Sequence, residues 1–225
     1  MSYRQELETA KKAALAAGQI LIEQKNNLNK SIFSSNTDIK LEADIVAEKL
    51  IKEILTDETS FPILAEESGQ SSNQLGDIFW VVDPLDGTAN YSRNIPICCV
   101  SIALIKNMEP VLGVIYDFSN NDLYEGSVST SAMQNGLEIK VSDISNQGEG
   151  ILITGLPNKT DYSDEALLKM VKDFQGWRKV RMIGSAAIAA CYIASGKADR
   201  YEEKGVYLWD IIAGAAIIES AGGTA

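Results

Sequence analysis

The stretch "WVVDPLDGTANY", residues 80–91, runs from an apolar segment directly into two acidic residues, Asp83 and Asp86, followed by a Gly-Thr pair. Its first residues are typical of a buried strand. Carboxylates at the end of such a strand repel each other and lose hydration. Something in the fold must offset that cost, and the rest of the sequence indicates what it is.

Composition limits the function before any motif is considered. The chain has 225 residues, enough for one large domain or two small lobes that share a core. Its net charge of −11 disfavours a nucleic-acid partner, and it suits an anionic substrate only where cations are recruited locally. The chain has no histidine, which excludes Ser-His-Asp and Cys-His nucleophile systems and histidine zinc sites.

The cysteines and the N-terminus indicate a cytoplasmic protein. Cys98, Cys99 and Cys191 form no CxxC motif and are odd in number, so we expect buried free thiols rather than a disulfide framework. The polar N-terminus is no signal peptide, and no apolar run approaches the length of a membrane span. We therefore expect no membrane partner.

The first half of the chain passes from helices to short strands. Apolar residues at steps of three and four predict a long helix over 3–27 and a second over 43–55, with a polar connection between them. Five apolar segments then predict strands, and the short polar separators between the last three of them predict an antiparallel meander. The predicted strands are residues 61–65, 78–82, 97–105, 111–118 and 123–128.

The second half alternates strands and helices. The predicted order is a strand at 151–155, a helix at 163–174, a strand at 178–184, a helix at 185–195 and a strand at 198–203. Residues 209–223 are apolar on all sides and predict a buried helix, with Asp210 capping its start and Gly222 closing it.

Together these patterns predict an α+β lobe at residues 1–140, which carries most of the acidic candidates, and an α/β lobe at 141–225. The two lobes are expected to form one structural unit. The sequence stops at "AGGTA", just after the buried helix, so we expect that a strand or two of the complete protein is missing.

Acidic residues follow apolar segments at three places. Glu66 and Glu67 follow the first predicted strand, Asp83 and Asp86 follow the second, and Asp210 follows "VYLW". If these places converge, they gather carboxylate oxygens without a basic residue, which suits Mg²⁺. Taken singly, each has a simpler interpretation as a turn, a solvated loop or a helix cap.

The residues after Asp86 add a possible anion site. Gly87, Thr88 and Ala89 can open a helix whose free N–H groups bind a phosphate. Cations held by the neighbouring acids would lie beside that phosphate and would neutralise the acids.

Three motifs resemble the inositol monophosphatase family. "DPLDGTANY" is similar to its signature, and "EESG" upstream and "WDIIAGAAIIESAGG" downstream are similar to its other two motifs, in the same order. The resemblance covers essentially the whole chain. It implies a layered α-β-α-β-α fold and Mg²⁺-dependent, lithium-sensitive hydrolysis of phosphate monoesters, with a homodimer implied by analogy alone.

The resemblance also implies residue roles. Glu66, Asp83 and the Leu85 carbonyl match ligands of a first Mg²⁺, Asp83, Asp86 and Asp210 match those of a second, and a third, weaker ion would use Glu66 and water. The catalytic residues that match are Glu66, Thr88, which orients the attacking water, and Asp44 as proton acceptor. The remaining matches are Gly87 and Thr88 for phosphate binding, and Asp86, Gly184, Ser185, Ala186 and Glu203 for substrate binding.

The chain departs from the family pattern near Asp44. Leu41 stands where many members have threonine, Ala89 replaces a second threonine, and Lys40 has no role that the motifs imply. The substrate stays open. A small phosphate ester is expected, with inositol monophosphate favoured because Glu203 suits a polyol. The alternatives are 3′-phosphoadenosine 5′-phosphate, fructose 1,6-bisphosphate and histidinol phosphate, and a non-catalytic member or a nuclease is disfavoured.

Overall fold

A computed structural model describes residues 3–35, 39–156 and 161–225. The helices are α1 (Arg4–Glu23), α2 (Lys25–Leu28), α3 (Glu42–Glu58), α4 (Thr88–Ser92), α5 (Asp164–Gln175), α6 (Ala186–Ala194) and α7 (Leu208–Ser220). The strands are β1 (Ser31–Ser34), β2 (Ile39–Leu41), β3 (Ile63–Ala65), β4 (Gly69–Gln70), β5 (Ile78–Asp86), β6 (Cys99–Lys106), β7 (Glu109–Asp117), β8 (Asp122–Ser127), β9 (Thr130–Gln134), β10 (Leu137–Glu138), β11 (Ile151–Thr154), β12 (Lys179–Met182) and β13 (Arg200–Glu202).

The main sheet has the strand order β10-β9-β8-β7-β6-β5-β3-β4. All its neighbours are antiparallel except β3 and β5, which run parallel. The predicted antiparallel meander is confirmed. Because β5 and β6 lie in the interior of the sheet, their apolar residues are buried on both faces.

One face of the main sheet is covered by α1 and α3. The predicted apolar stripe of α1 is buried, as are the apolar residues that α3 turns toward it. These helices share one core cluster with the side chains of Trp80, Val82, Val100 and Ile102 from the sheet. The first layer is therefore a helix pair packed on a sheet.

The other face is covered by α6 and α7, whose small residues allow close approach. A Cβ added at Gly113 of β7 would collide with the carbonyl oxygen of Ala213, and one at Gly214 would collide with Ala190. The helix α7 therefore lies tightly between the sheet and α6, which is why the predicted buried helix is apolar on all sides.

A smaller parallel sheet, with the order β12-β11-β13, forms the next layer and packs against α6. Ile153 and Tyr201 pack toward the core shared with α6. On the opposite face, α5 and the strands line a cavity of about 620 Å³ whose lining includes Leu152, Met170 and Phe174. The order helix, sheet, helix, sheet, helix is the layered architecture predicted from the motifs.

Several details differ from the sequence prediction: the first helix is divided into α1 and α2, and β4, β9 and β10 were not predicted. The connection before Asp44 contains an antiparallel hairpin of β1 and β2, where only a polar connection was predicted. Asp210 caps the start of α7 as predicted, but from the third position of the helix: the helix begins at Leu208, and the Asp210 side chain accepts the N–H of Tyr207, the N-cap residue. Gly222 does adopt a left-handed conformation just beyond the helix end, with φ of 87°.

The remaining structural expectations concern the cysteines, the membrane and the lobes. All three cysteines are buried free thiols. Within the described residues, no helix combines the length and the apolar character that a membrane crossing requires. The division into lobes at residue 140 stays a prediction.

The contact between β7 and α7 can be tested by substitution. We expect Gly113→Ala to lower the free energy of unfolding by about 2–3 kcal/mol, because the added methyl group overpacks a rigid backbone contact. Chemical denaturation measures the change. Gly148→Ala is the control, since its nearest neighbour would lie at an ordinary 3.5 Å, and equal effects of the two changes would contradict the prediction.

Candidate active site

The predicted site residues other than Asp44 line one cavity of about 550 Å³ at the end of β5. Asp44 lies behind the cavity wall, in contact with Thr88. The lining contains Glu66, Asp83, Leu85, Asp86, Gly87, Thr88, Gly184, Ser185, Ala186, Glu203 and Asp210. Segments far apart in the sequence are thus brought together as the sequence analysis required.

The local backbone of the motif explains how Asp83 and Asp86 reach the cavity. The pairing of β5 with β6 is interrupted between these two residues, so the strand ends in an irregular turn. Asp83 accepts a hydrogen bond of 3.0 Å from the Leu85 N–H. Gly87 then adopts a left-handed φ of 87°, which starts α4, and a Cβ there would lie 2.7 Å from the Ile97 carbonyl oxygen.

Asp86 is fixed by the start of α6. Its Oδ2 accepts hydrogen bonds from Ser185 Oγ at 2.6 Å and from the Ala187 N–H at 2.7 Å. Burial raises the pKa of Asp86, and these hydrogen bonds offset part of that rise. The "GSAA" segment therefore orients an acid as well as lining the cavity.

Glu66 and Asp83 form the most strongly perturbed pair of acids. Burial raises the pKa of both carboxyl groups, and each is raised further by the neighbouring negative charges. The charge of Glu66 is among those that raise the pKa of Asp83, so the two groups disfavour being ionised together. A site of this kind has a strong electrostatic demand for positive charge.

Asp210 is presented by the first turn of α7. Its Oδ2 accepts a hydrogen bond of 2.7 Å from the Tyr207 N–H, which fixes the side chain at the helix start. Burial raises its pKa to about 6, and the charges of Asp86 and Glu203 contribute to the rise.

Asp44 and Thr88 form a hydrogen-bonded pair beside these acids. Thr88 Oγ1 lies 3.0 Å from Asp44 Oδ1 and 3.0 Å from the Leu85 carbonyl oxygen, so its single proton can serve either acceptor. Asp44 also accepts a 2.7 Å hydrogen bond from the Leu41 N–H. Burial raises the pKa of Asp44 to about 6, which suits a proton acceptor near neutral pH.

The substrate side of the cavity is formed by the small sheet and by the loop before α6. Glu203 accepts a 3.0 Å hydrogen bond from the Tyr201 hydroxyl, and burial raises the pKa of its carboxyl group. Gly184, with φ of 71°, is held by Asn90, whose Nδ2 donates to the carbonyl oxygens of Ile183 and Gly184.

Sequence reasoning missed some of these residues. It assigned no role to Asn90, although the residue stands in the quoted signature, and it did not single out Tyr201. A polar residue inside a signature was a usable signal for Asn90. Nothing in the local sequence distinguishes Tyr201, because its role depends on the neighbouring strands.

The donor set fits a hard divalent cation in its chemistry. The cavity offers the carboxylates of Glu66, Asp83, Asp86 and Asp210 together with the Leu85 carbonyl, and hard cations prefer such oxygen ligands. Over the part of the chain that the structure describes, no three acidic, cysteine or histidine side chains already form a metal-ligand shell. The individual ligand sets therefore stay predictions.

Comparisons with known proteins agree with the motifs. A sequence model of the inositol monophosphatase family matches residues 2–225. The chain is 38% identical over 216 residues to "Nus factor SuhB" of Xylella fastidiosa, with 94% of this chain and 78% of that protein covered. It is 35% identical to "Fructose-1,6-bisphosphatase/inositol-1-monophosphatase" of Aquifex aeolicus, with 96% and 83% covered.

The fold agrees as well. The solved inositol monophosphatase from Anabaena (Nostoc) sp. PCC 7120 superposes with a TM-score of 0.86 at 34% identity, and the match covers 99% of this chain and 83% of that one. The resemblance that the motifs carried is confirmed over nearly the whole chain. The chain therefore belongs to the inositol monophosphatase family of phosphatases.

Proposed function

We propose that this protein is a Mg²⁺-dependent phosphomonoesterase that hydrolyses a small phosphorylated metabolite by attack of water on phosphorus. One observation carries the proposal: a single cavity gathers five carboxylates of raised pKa, and the Asp44–Thr88 pair borders it. The acids need positive charge, and a phosphate ester needs positive charge as well. Cations between the two would satisfy both requirements.

The residues assigned to the cations are those of the family motifs. Glu66, Asp83 and the Leu85 carbonyl would hold one Mg²⁺, and Asp83, Asp86 and Asp210 would hold a second. A third, weaker ion would depend on Glu66 and water. When bound, these ions supply the positive charge that stabilises the phosphoryl oxygens and the departing alkoxide.

The chain's own groups would position the reactants. The Thr88 hydroxyl would orient the attacking water, and Asp44 would accept its proton. The N–H groups of Gly87 and Thr88 would bind the phosphate. On the leaving-group side, Asp86 and Glu203 would accept hydrogen bonds from substrate hydroxyls, and the segment of Gly184, Ser185 and Ala186 would line the space around them.

Inositol monophosphate is the substrate we favour. The relatives from Aquifex and Anabaena are named for activity on inositol monophosphate, and the former also for fructose 1,6-bisphosphate. The half-buried Glu203 offers a carboxylate to a polyol. The alternative is 3′-phosphoadenosine 5′-phosphate, with histidinol phosphate a further candidate, and relative kcat/KM on the four esters separates them.

The proposal includes three further properties that the sequence predicts. They are inhibition by lithium, assembly as a homodimer and a cytoplasmic location. The first two rest on the family, and the third rests on the buried free thiols.

The central test is Mg²⁺-dependent release of phosphate. We expect the purified chain to release phosphate from inositol 1-phosphate with Mg²⁺, to lose the activity in EDTA, and to lose at least about a hundredfold in kcat on Asp83→Asn, because a ligand shared by two ions is removed. Asp57→Asn, on an exposed part of α3, is the control. Absence of release from a broad panel of monoesters would refute the proposed function.

The role of Asp44 predicts a pH dependence. Only the ionised carboxylate accepts a proton, so kcat/KM should rise as the pH passes through about 6 and then level off. Asp44→Asn should lower kcat by about a hundredfold or more and remove this limb of the profile. Initial rates between pH 5 and pH 8.5 at saturating Mg²⁺ measure both effects.

Stability provides the control for Asp44. Because its pKa is raised in the folded state, ionisation of Asp44 lowers the free energy of unfolding as the pH rises from about 4 through about 6. Asp44→Asn should therefore be no less stable than the unchanged chain at pH 8. An unchanged rate and profile in this variant would remove Asp44 from the mechanism.

Glu203 should determine affinity for hydroxyl-bearing substrates. We expect Glu203→Gln to raise KM for inositol 1-phosphate about tenfold, because a charged hydrogen-bond acceptor is lost, and to change KM for p-nitrophenyl phosphate little. Glu202→Gln is the matched control, since Glu202 is exposed and paired with Arg200. Equal changes for both substrates would contradict a specific contact.

A further inference from the structure

We propose that Lys40 is a positioning residue for the metal ions: its ammonium group holds and neutralises Glu67, and it thereby limits how strongly the adjoining Glu66 side of the cavity attracts divalent cations. The inference rests on the proposed function, because it concerns the ions that the cavity would hold. It assigns a role to a lysine for which the motifs imply none.

Lys40 forms an ion pair with a buried acid, Glu67. Its Nζ lies 2.9 Å from Glu67 Oε2, and the Glu67 side chain is only 5% exposed. The Glu67 N–H donates a 2.8 Å hydrogen bond to Glu48 Oε2, so the backbone of Glu67 is fixed as well. A buried residue held through both its carboxylate and its backbone N–H cannot turn freely toward the cavity.

The hairpin that precedes α3 determines where Lys40 lies. Lys40 pairs with Phe33 across β1 and β2, and it immediately precedes Leu41, whose N–H is bound by Asp44. Strand pairing therefore fixes the backbone of Lys40, and the ion pair with Glu67 holds its ammonium group. Its charge acts at a defined point beside the catalytic acids.

Glu67 is electrostatically connected to the predicted catalytic acids. Its negative charge contributes to the raised pKa of Glu66 and of Asp44. A group that neutralises Glu67 therefore changes the field at both residues. Removing Lys40 would leave one more negative charge beside Glu66, which would strengthen the attraction for a divalent cation.

A second ion pair of the same kind provides a comparison. Lys52 lies 3.8 Å from Glu48, with side-chain exposures of 30% and 5%, against 34% and 5% for the Lys40–Glu67 pair. The charge of Glu67 raises the pKa of both Glu66 and Asp44, whereas Glu48 is not among the main causes of either shift. If Lys40 merely stabilised the fold, the two lysines should respond alike.

The experiment is a calorimetric titration of the full chain with Mg²⁺ at pH 7.5, without substrate. We expect Lys40→Met to lower the Kd about threefold to tenfold, the scale of Coulomb's law for a partly exposed unit charge acting on a divalent ion. Lys40→Arg should stay within about twofold of the unchanged chain, because it keeps the charge. Lys52→Met should leave the Kd unchanged.

A double variant tests whether Lys40 acts through Glu67. In Lys40→Met combined with Glu67→Gln, both charges are removed together, so the Kd should return to near that of the unchanged chain. Thermal unfolding midpoints of all variants in EDTA identify any loss of folding. A double variant that binds Mg²⁺ as tightly as Lys40→Met would refute the inference that Lys40 acts through Glu67.

The titration separates the two proposals. If the unchanged chain binds Mg²⁺ and Lys40→Met binds it equally or more weakly, the role of Lys40 is refuted and the proposed function stands. If the unchanged chain does not bind Mg²⁺ at millimolar concentration, the metal-dependent function falls, and the inference about Lys40 falls with it.

Discussion

Desolvation and mutual repulsion of carboxylates govern the structure around the end of β5. Asp83 and Asp86 leave a buried strand where its pairing is interrupted, and Glu66 and Asp210 approach from two other elements. Burial raises the pKa of all four, and negative neighbours add to the rise at Glu66, Asp83 and Asp210. A hydrophobic strand end would be more stable, so the arrangement has to be maintained by the scaffold around it.

That scaffold supplies directed donors from helix starts. Asp86 accepts from the first residues of α6, while Asp44 and Asp210 each accept the N–H of the residue that precedes their own helix. The starts of three helices thus lie around the cavity, where their positive ends favour negative charge. The close contact at Gly113 brings α7 near enough to the sheet for Asp210 to take part. The packing of α7 on the sheet and the position of Asp210 beside the other acids are therefore linked.

Most elements could be predicted because each has its own local signal. The apolar stripe of α1 and the alternation of the meander depend on neighbours in the sequence, and both were confirmed. The hairpin of β1 and β2 was missed because all four residues of β1 are exposed, which leaves no apolar alternation to read. The Lys40–Glu67 pair depends on two segments meeting in space, which no local pattern encodes. Convergence of the acids was predictable only through the family motifs.

The distribution of lysines around the acids is informative about where mobile cations belong. One layer behind the cavity, Glu67 and Glu48 are buried and paired with Lys40 and Lys52. Among the ion pairs of residues 3–35, 39–156 and 161–225, none involves the five acids that line the cavity. The same fold can therefore neutralise buried carboxylates with its own side chains, and it does so away from the cavity. Acids at an open cavity that no lysine or arginine side chain neutralises are suited to exchangeable cations. A lysine ammonium group in that place would occupy the space that a phosphate must enter.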